Sequence, residues 1–271
     1  MKLNLRFAVL GLASMVMSLA FTANAASIRT DVGFTANTLA RNDDSSTGSV
    51  AIGFNANFFG TTYSNLFVNN NGNVTFTGPL ATFTPFSLLS TSTPIIAPFF
   101  ADVDTNGAGT SPVQYGTSTV NGHAALGVNW LNVGYFAGHS APLNSFQLVM
   151  IDRSDIGAGD FDFEFNYGSM GWETGDASGG SGGLGGSSAR VGYSNGSNAS
   201  FEAPGSAVNG SFLDGGPNSL SRAGQSTFQV RNGSVTPQPP TGSVPDGGST
   251  LASLTLALGA LGIARRKFRK A

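Results

Sequence analysis

The sequence predicts an all-β fold, an antiparallel sandwich or partly closed barrel of hairpins. Three features carry that prediction. Between Ser27 and Val235 no window sustains a 3.6-residue apolar repeat for three turns. Short apolar or alternating runs are instead punctuated by Asn-Gly pairs, whose residues accept the positive φ of a tight hairpin turn. The third feature is Asp160 to Tyr167, where Phe161, Phe163, Phe165 and Tyr167 alternate with Asp160, Asp162, Glu164 and Asn166. A period of two buries one face and leaves the other to water. Each buried Phe contributes roughly 1.5–3 kcal/mol, so this strand is expected in the core.

The elements follow in chain order. Residues 1–25 form a signal peptide: Lys2 and Arg6, an apolar run from Phe7 to Phe21, then Ala23-Asn24-Ala25, with cleavage between Ala25 and Ala26. Residues 26–231 form the β domain. Leu66–Asn69 and Asn73–Phe76 flank Asn70-Asn71-Gly72 as one hairpin. Gln114–Val120 and Ala124–Trp130 flank Asn121-Gly122 as a second, and Ser145–Asp152 with Asp160–Tyr167 make a third. Gly175 to Ser188, almost all Gly and Ser, reads as a mobile loop that does not pack. Residues 232–243, rich in Pro, Gly and Thr, read as a semi-extended linker.

Composition narrows the function. Of the 271 residues only 10% are charged, none is Cys, and 21 are Phe. Seven of the 13 basic residues sit at the termini, so the stretch from Arg29 to Asp246 holds six Arg against 15 acidic residues, a net of −9. Such a surface has no means of gripping nucleic acid. The tail, residues 244–271, begins Val244-Pro245-Asp246-Gly247-Gly248. A 14-residue apolar run from Leu251 to Ala264 follows, then Arg265, Arg266, Lys267, Arg269 and Lys270. As a helix that run spans about 21 Å, short of the roughly 30 Å hydrocarbon core. It enters the inner membrane transiently, while the basic cluster stays cytoplasmic and the domain lies outside. A short motif, a marginal helix and a basic stop follow the logic of processed anchors.

That tail resembles PEP-CTERM-type sorting signals, in the variant with Val-Pro-Asp-Gly-Gly. The resemblance implies a Gram-negative bacterium, an exosortase-type processing enzyme, and association with exopolysaccharide or biofilm. Within the domain, Pro94-Ile95-Ile96-Ala97-Pro98-Phe99-Phe100-Ala101-Asp102-Val103-Asp104 resembles the opening of nidogen-like (NIDO) domains, with Phe100 where Trp is usual. Asn144 to Val149, Phe165-Asn166-Tyr167, Trp172-Glu173 and Ala189 to Tyr193 continue the likeness, which covers about residues 54–201. It implies a non-catalytic extracellular interaction module.

Several residues invite chemistry. Asp102-Val103-Asp104-Thr105-Asn106-Gly107 follows the first half of a D-x-D-x-N-G calcium loop, with Asp102, Asp104 and Asn106 as ligands. Val113 occupies the twelfth position, where a bidentate Glu belongs, and a turn bonded to its own backbone is the alternative. Asp162 and Glu164 share a strand face and suggest a glycosidase pair, or simply a solvated face. Tyr115, Trp130, Tyr135, Trp172 and Tyr193 are either core aromatics or a sugar platform. His123 and His139 read as turn histidines, and G-x-G-x-x-G at Gly180–Gly185 lacks its strand–turn–helix context. The expected protein is an exported, non-catalytic adhesion or interaction module at the cell surface or in the extracellular matrix. Its partners are the export machinery, signal peptidase, an exosortase, and exopolysaccharide or surface proteins. No cofactor beyond that calcium ion is expected. A secreted carbohydrate-active enzyme and a calcium-stabilised scaffold are the alternatives.

Overall fold

The computed structural model describes residues 28–237. The signal-peptide residues Ala23, Ala25 and Ala26, the sorting motif Val244–Gly248 and the basic cluster lie outside them. Among the described residues fourteen strands are formed. In chain order they are β1 (Asn37–Thr38), β2 (Val50–Phe58), β3 (Thr61–Asn69), β4 (Asn73–Thr75), β5 (Pro94–Phe100), β6 (Val103–Asp104) and β7 (Gln114–Val120), then β8 (His123–Tyr135), β9 (His139–Asp152), β10 (Phe161–Met170), β11 (Arg190–Asn195), β12 (Ser200–Glu202), β13 (Gln225–Arg231) and β14 (Ser234–Pro237).

They build two antiparallel sheets. The larger runs β1-β7-β8-β9-β10-β13-β14, with β6 also on β8; the smaller runs β12-β11-β5-β4-β3-β2. The architecture is therefore a sandwich, and of the two expected forms the barrel is not the one adopted. All three expected hairpins are present: Asn69 opposite Asn73, Val120 opposite His123, and Phe161 opposite Asp152. Inner-face residues of both sheets fill one core, in which Phe163 stacks on Phe228 at 4.7 Å and packs edge-on to Tyr193 at 5.8 Å.

Three expectations are corrected. The acidic face of β10 does not meet water: Asp160, Asp162, Glu164 and Asn166 are all buried. The segment entering the domain lies over it, with Arg29 bonding Glu164 and Gln147, and Phe34 forming a second small core with Val120, Ala125, Val149 and Ile151. The Gly/Ser tract also packs, through its backbone: Glu173 N and Thr174 N donate to Gly183 O, Ser187 N donates to Ser178 O, and Ser178 and Ser188 are buried. Finally, Ser234–Pro237 are not linker but the edge strand β14, paired with Phe228–Arg231. Among the described residues no helix is long and apolar enough to cross a membrane.

Candidate functional site

The β3–β4 turn organises the most unusual site in the domain. Gly72 has φ 72°, and an added Cβ would fall 1.8 Å from Phe99 O, so only glycine lets the turn press against β5. Phe99 N in turn donates to Gly72 O at 3.2 Å. The two asparagines before it are buried, and they are the turn's working residues. Asn70 Nδ2 donates to Val103 O at 2.6 Å and to Asp43 O at 2.5 Å, and Asn70 O accepts from Trp130 Nε1 at 3.0 Å. Asn71 donates to Asp44 Oδ1 at 2.8 Å and accepts from Val103 N at 2.9 Å. Buried amides satisfied in this way fix two distant segments, 43–44 and 102–103, against one turn.

That convergence places Asp43, Asp44 and Asp102 together, each with a carboxylate oxygen within 4.8 Å of the others. Asp102 is 1% exposed; its Oδ2 accepts from Ser178 Oγ at 3.3 Å, while its Oδ1 is buried without a hydrogen bond, as is Oδ1 of Asp43. Burial first, then the neighbouring Asp44, Asp104 and Asp102, pushes the Asp43 carboxyl up to about 7. Burial, followed by Asp44, raises Asp102 to about 6. The nearby guanidinium of Arg41 does not help them: it is spent on the carbonyls of Thr105 and Thr110 and on Thr110 Oγ1.

The calcium loop expected at Asp102, Asp104 and Asn106 does not assemble as a wrap. Asp104 caps the turn, its Oδ1 accepting from Asn106 N and its Oδ2 from Gly138 N, both at 2.8 Å. Asn106 is exposed and joins only through that backbone bond. Of the three residues, Asp102 alone enters the carboxylate cluster. Sequence reasoning missed Asp43 and Asp44, for which the one available signal was two adjacent acids in a lysine-free stretch.

The second acidic region is the outer face of β10. Glu164 takes both Nε and Nη2 of Arg29, at 2.7 and 2.8 Å, and this hydrogen bonding raises the Arg29 pKa. Asp162 Oδ2 accepts from Arg153 Nη1 at 3.0 Å, and Arg231 Nη2 lies 2.7 Å from its Oδ1, an ion contact outside hydrogen-bond geometry. Asp160 Oδ1 accepts from Asn232 N. Glu164 and Asp162 are thus neutralised by fixed guanidinium groups, an arrangement that holds structure together.

The remaining candidates do not converge. Trp130, Trp172, Tyr135 and Tyr193 are buried, with the indole N–H groups bonded to Asn70 O and Val133 O, so they are core and not a sugar platform; Tyr115 is half-buried. His139 Nε2 lies 2.9 Å from Asp176 Oδ2 and His123 Nδ1 lies 3.7 Å from Asp155 Oδ1, two separate contacts. A bulge in β2 between Ala51 and Ala56 leaves a shallow depression lined by Ala51, Gly53, Phe54, Asn55, Ser64 and Asn65, with no titratable side chain.

Comparison with known proteins places the chain. Residues 64–232 match the nidogen-like domain, and residues 243–268 match the VPDSG-CTERM motif. Alpha-tectorin of Mus musculus is 34% identical over 183 residues, 59% of this chain. The Gallus gallus alpha-tectorin is 33% identical over 189 residues, 60% of this chain. The aligned part spans only 8% and 9% of those two relatives. No solved structure matches. A matrix-type extracellular domain joined to a C-terminal sorting motif points to an exported surface protein. With more than half its length matched, the chain belongs to the nidogen-like domain family.

Proposed function

We propose that the protein is a non-catalytic interaction module of a Gram-negative bacterium, exported across the inner membrane and released from its tail by an exosortase-type enzyme. At the surface it associates with exopolysaccharide or with other matrix proteins, as an adhesive component of a biofilm. The observation that carries this reading is the union in one chain of a nidogen-like sandwich and a sorting motif. The relatives' name, alpha-tectorin, is that of much longer proteins, so their partners do not transfer. Support for a non-catalytic role comes from the β10 acids, since Asp162 and Glu164 are both tied to arginines. The aromatic side chains that could stack on sugar are mostly core, which leaves binding to the polar sheet edges and loops.

The test uses the full chain, expressed with an exosortase and incubated with purified exopolysaccharide. Retention on the polymer, no new reducing ends and a C-terminus trimmed near Val244–Gly248 are expected. Release of reducing ends, abolished by Glu164→Gln, would replace the module with an enzyme. An untrimmed chain that ignores the polymer would remove both halves of the proposal.

A further inference from the structure

The carboxylate cluster is hard to explain as it stands. Buried ionised groups are ordinarily paired, hydrogen-bonded or coordinated to a metal. The β10 acids obey that rule through Arg29, Arg153 and Arg231. Asp43, Asp44 and Asp102 have no ion-pair partner among the described residues, and Asp104 adds a fourth negative charge beside them. Two of their oxygens are buried and unbonded. In Asp102, almost wholly inaccessible, Oδ2 is engaged by Ser178 and the free Oδ1 is the oxygen left for a ligand.

We propose that Asp43, Asp44 and Asp102 bind a calcium ion at the β3–β4 turn. The donor set is all oxygen, with no Cys in the chain and both His in other pairs, which selects a hard cation over zinc or copper. The three carboxylates offer one oxygen each at close range, and backbone carbonyls or water complete the six to eight that calcium takes. The ligands come from an irregular segment and the link between β5 and β6, whose spacing is not tied to the strict octahedron magnesium demands.

The ion would do structural work. Asp43 and Asp44 belong to the segment leading into β2, Asp102 to the link between β5 and β6, and Ser178 to the Gly-rich loop. Asn70 and Asn71 already hold the first two against the turn. A cation there clamps four stretches that are remote in sequence and replaces mutual repulsion with attraction. This inference does not depend on the surface-adhesion reading, because the clamp would act wherever calcium is present.

Calcium titration of the chelator-stripped full chain, followed by calorimetry and thermal melting, tests it. The expected result is one site per chain. Tm should rise by about 5–10 °C at ~100-fold excess over Kd, with a smaller response to magnesium. Asp102→Asn should abolish the rise. If that variant does not fold, Asp43→Asn, at a partly exposed position, serves instead and should weaken binding at least ~10-fold. A Tm indifferent to calcium up to about 10 mM would overturn the proposal. A rise that survives both substitutions would overturn it too, because the ion would then sit elsewhere.

Discussion

Two acidic regions of this domain solve the same electrostatic problem in opposite ways. On the outer face of β10, Asp162 and Glu164 are 8% and 6% exposed, and each faces at least one guanidinium. Beside the β3–β4 turn, Asp43, Asp44 and Asp102 converge with amide, hydroxyl and backbone contacts but no guanidinium. The first region is closed: its charges cancel within the fold, and removing a partner can only do harm. The second is open: its charges are carried to about 6 and 7 at Asp102 and Asp43, and anything that brings positive charge or removes negative charge helps it. A carboxylate's neighbours, more than its burial, decide whether it is scaffold or site.

The largest effect is expected where the closed region is opened. Arg29→Met keeps the apolar stem but strands Glu164 as a buried, unpaired carboxylate. Breaking a buried pair from one side destabilises by several kcal/mol; with Arg29 partly exposed, a loss of about 2–3 kcal/mol in urea denaturation is expected. Adding Glu164→Gln should recover about half of it, because the double variant no longer buries a charge. If the single variant melts like the parent, the guanidinium is not what balances β10.

A smaller loss is expected where the open region is crowded. Gly175 has φ −81°, so Ala suits its backbone, but the new Cβ would lie 2.4 Å from Asp102 Oδ2 and 2.7 Å from Asp102 Cβ. Asp102 has no room to retreat, and overpacking of this kind costs about 1–3 kcal/mol. Gly175→Ala should therefore lower stability and blunt any response to calcium, whereas Gly78→Ala, whose Cβ would meet nothing within 4 Å and whose φ is not positive, should leave both intact.

What could be read from the sequence divides along the same line. Hairpins were legible because their information is local: Asn121-Gly122 sits two residues wide between its strands. The inner face of β10 was legible because Phe161, Phe163 and Phe165 repeat every second residue. Its outer face was not, since the side chain that covers it, Arg29, is 135 residues from Glu164. The Gly/Ser tract failed for a different reason. Composition speaks for side chains, and this loop packs through carbonyls such as Gly183 O. Asp102 was picked out by its motif, yet its true companions stand at 43 and 44, brought to it by Asn70 and Asn71, residues whose turn-forming habit concealed their side-chain bonds.

The smallest effect has the most telling sign. Asp43→Asn removes one negative charge from the open region, so in chelator it should stabilise the domain. The folded pKa of Asp43, about 7, lies above its ordinary value of 3.8. A carboxyl raised on folding binds its proton more tightly in the native state, so its contribution favours folding at low pH and fades as pH climbs through about 7. The gain from Asp43→Asn should accordingly be about 1 kcal/mol near pH 8, a few tenths of that near pH 5, and close to zero only below the ordinary value of 3.8, after discounting for the group's partial exposure. Glu173, also raised by burial, shifts the parent and the variant alike and cancels in the difference. Saturating calcium should then reverse the order, because the parent gains a ligand that the variant has lost. Urea denaturation at about pH 8 and pH 5, with chelator and with calcium, gives four differences: in chelator the variant's gain should be positive and larger near pH 8, and in calcium near pH 8 it should turn negative. A variant less stable than the parent in chelator near pH 8 would show that Asp43 is held by attraction, and the distinction between closed and open regions would go with it.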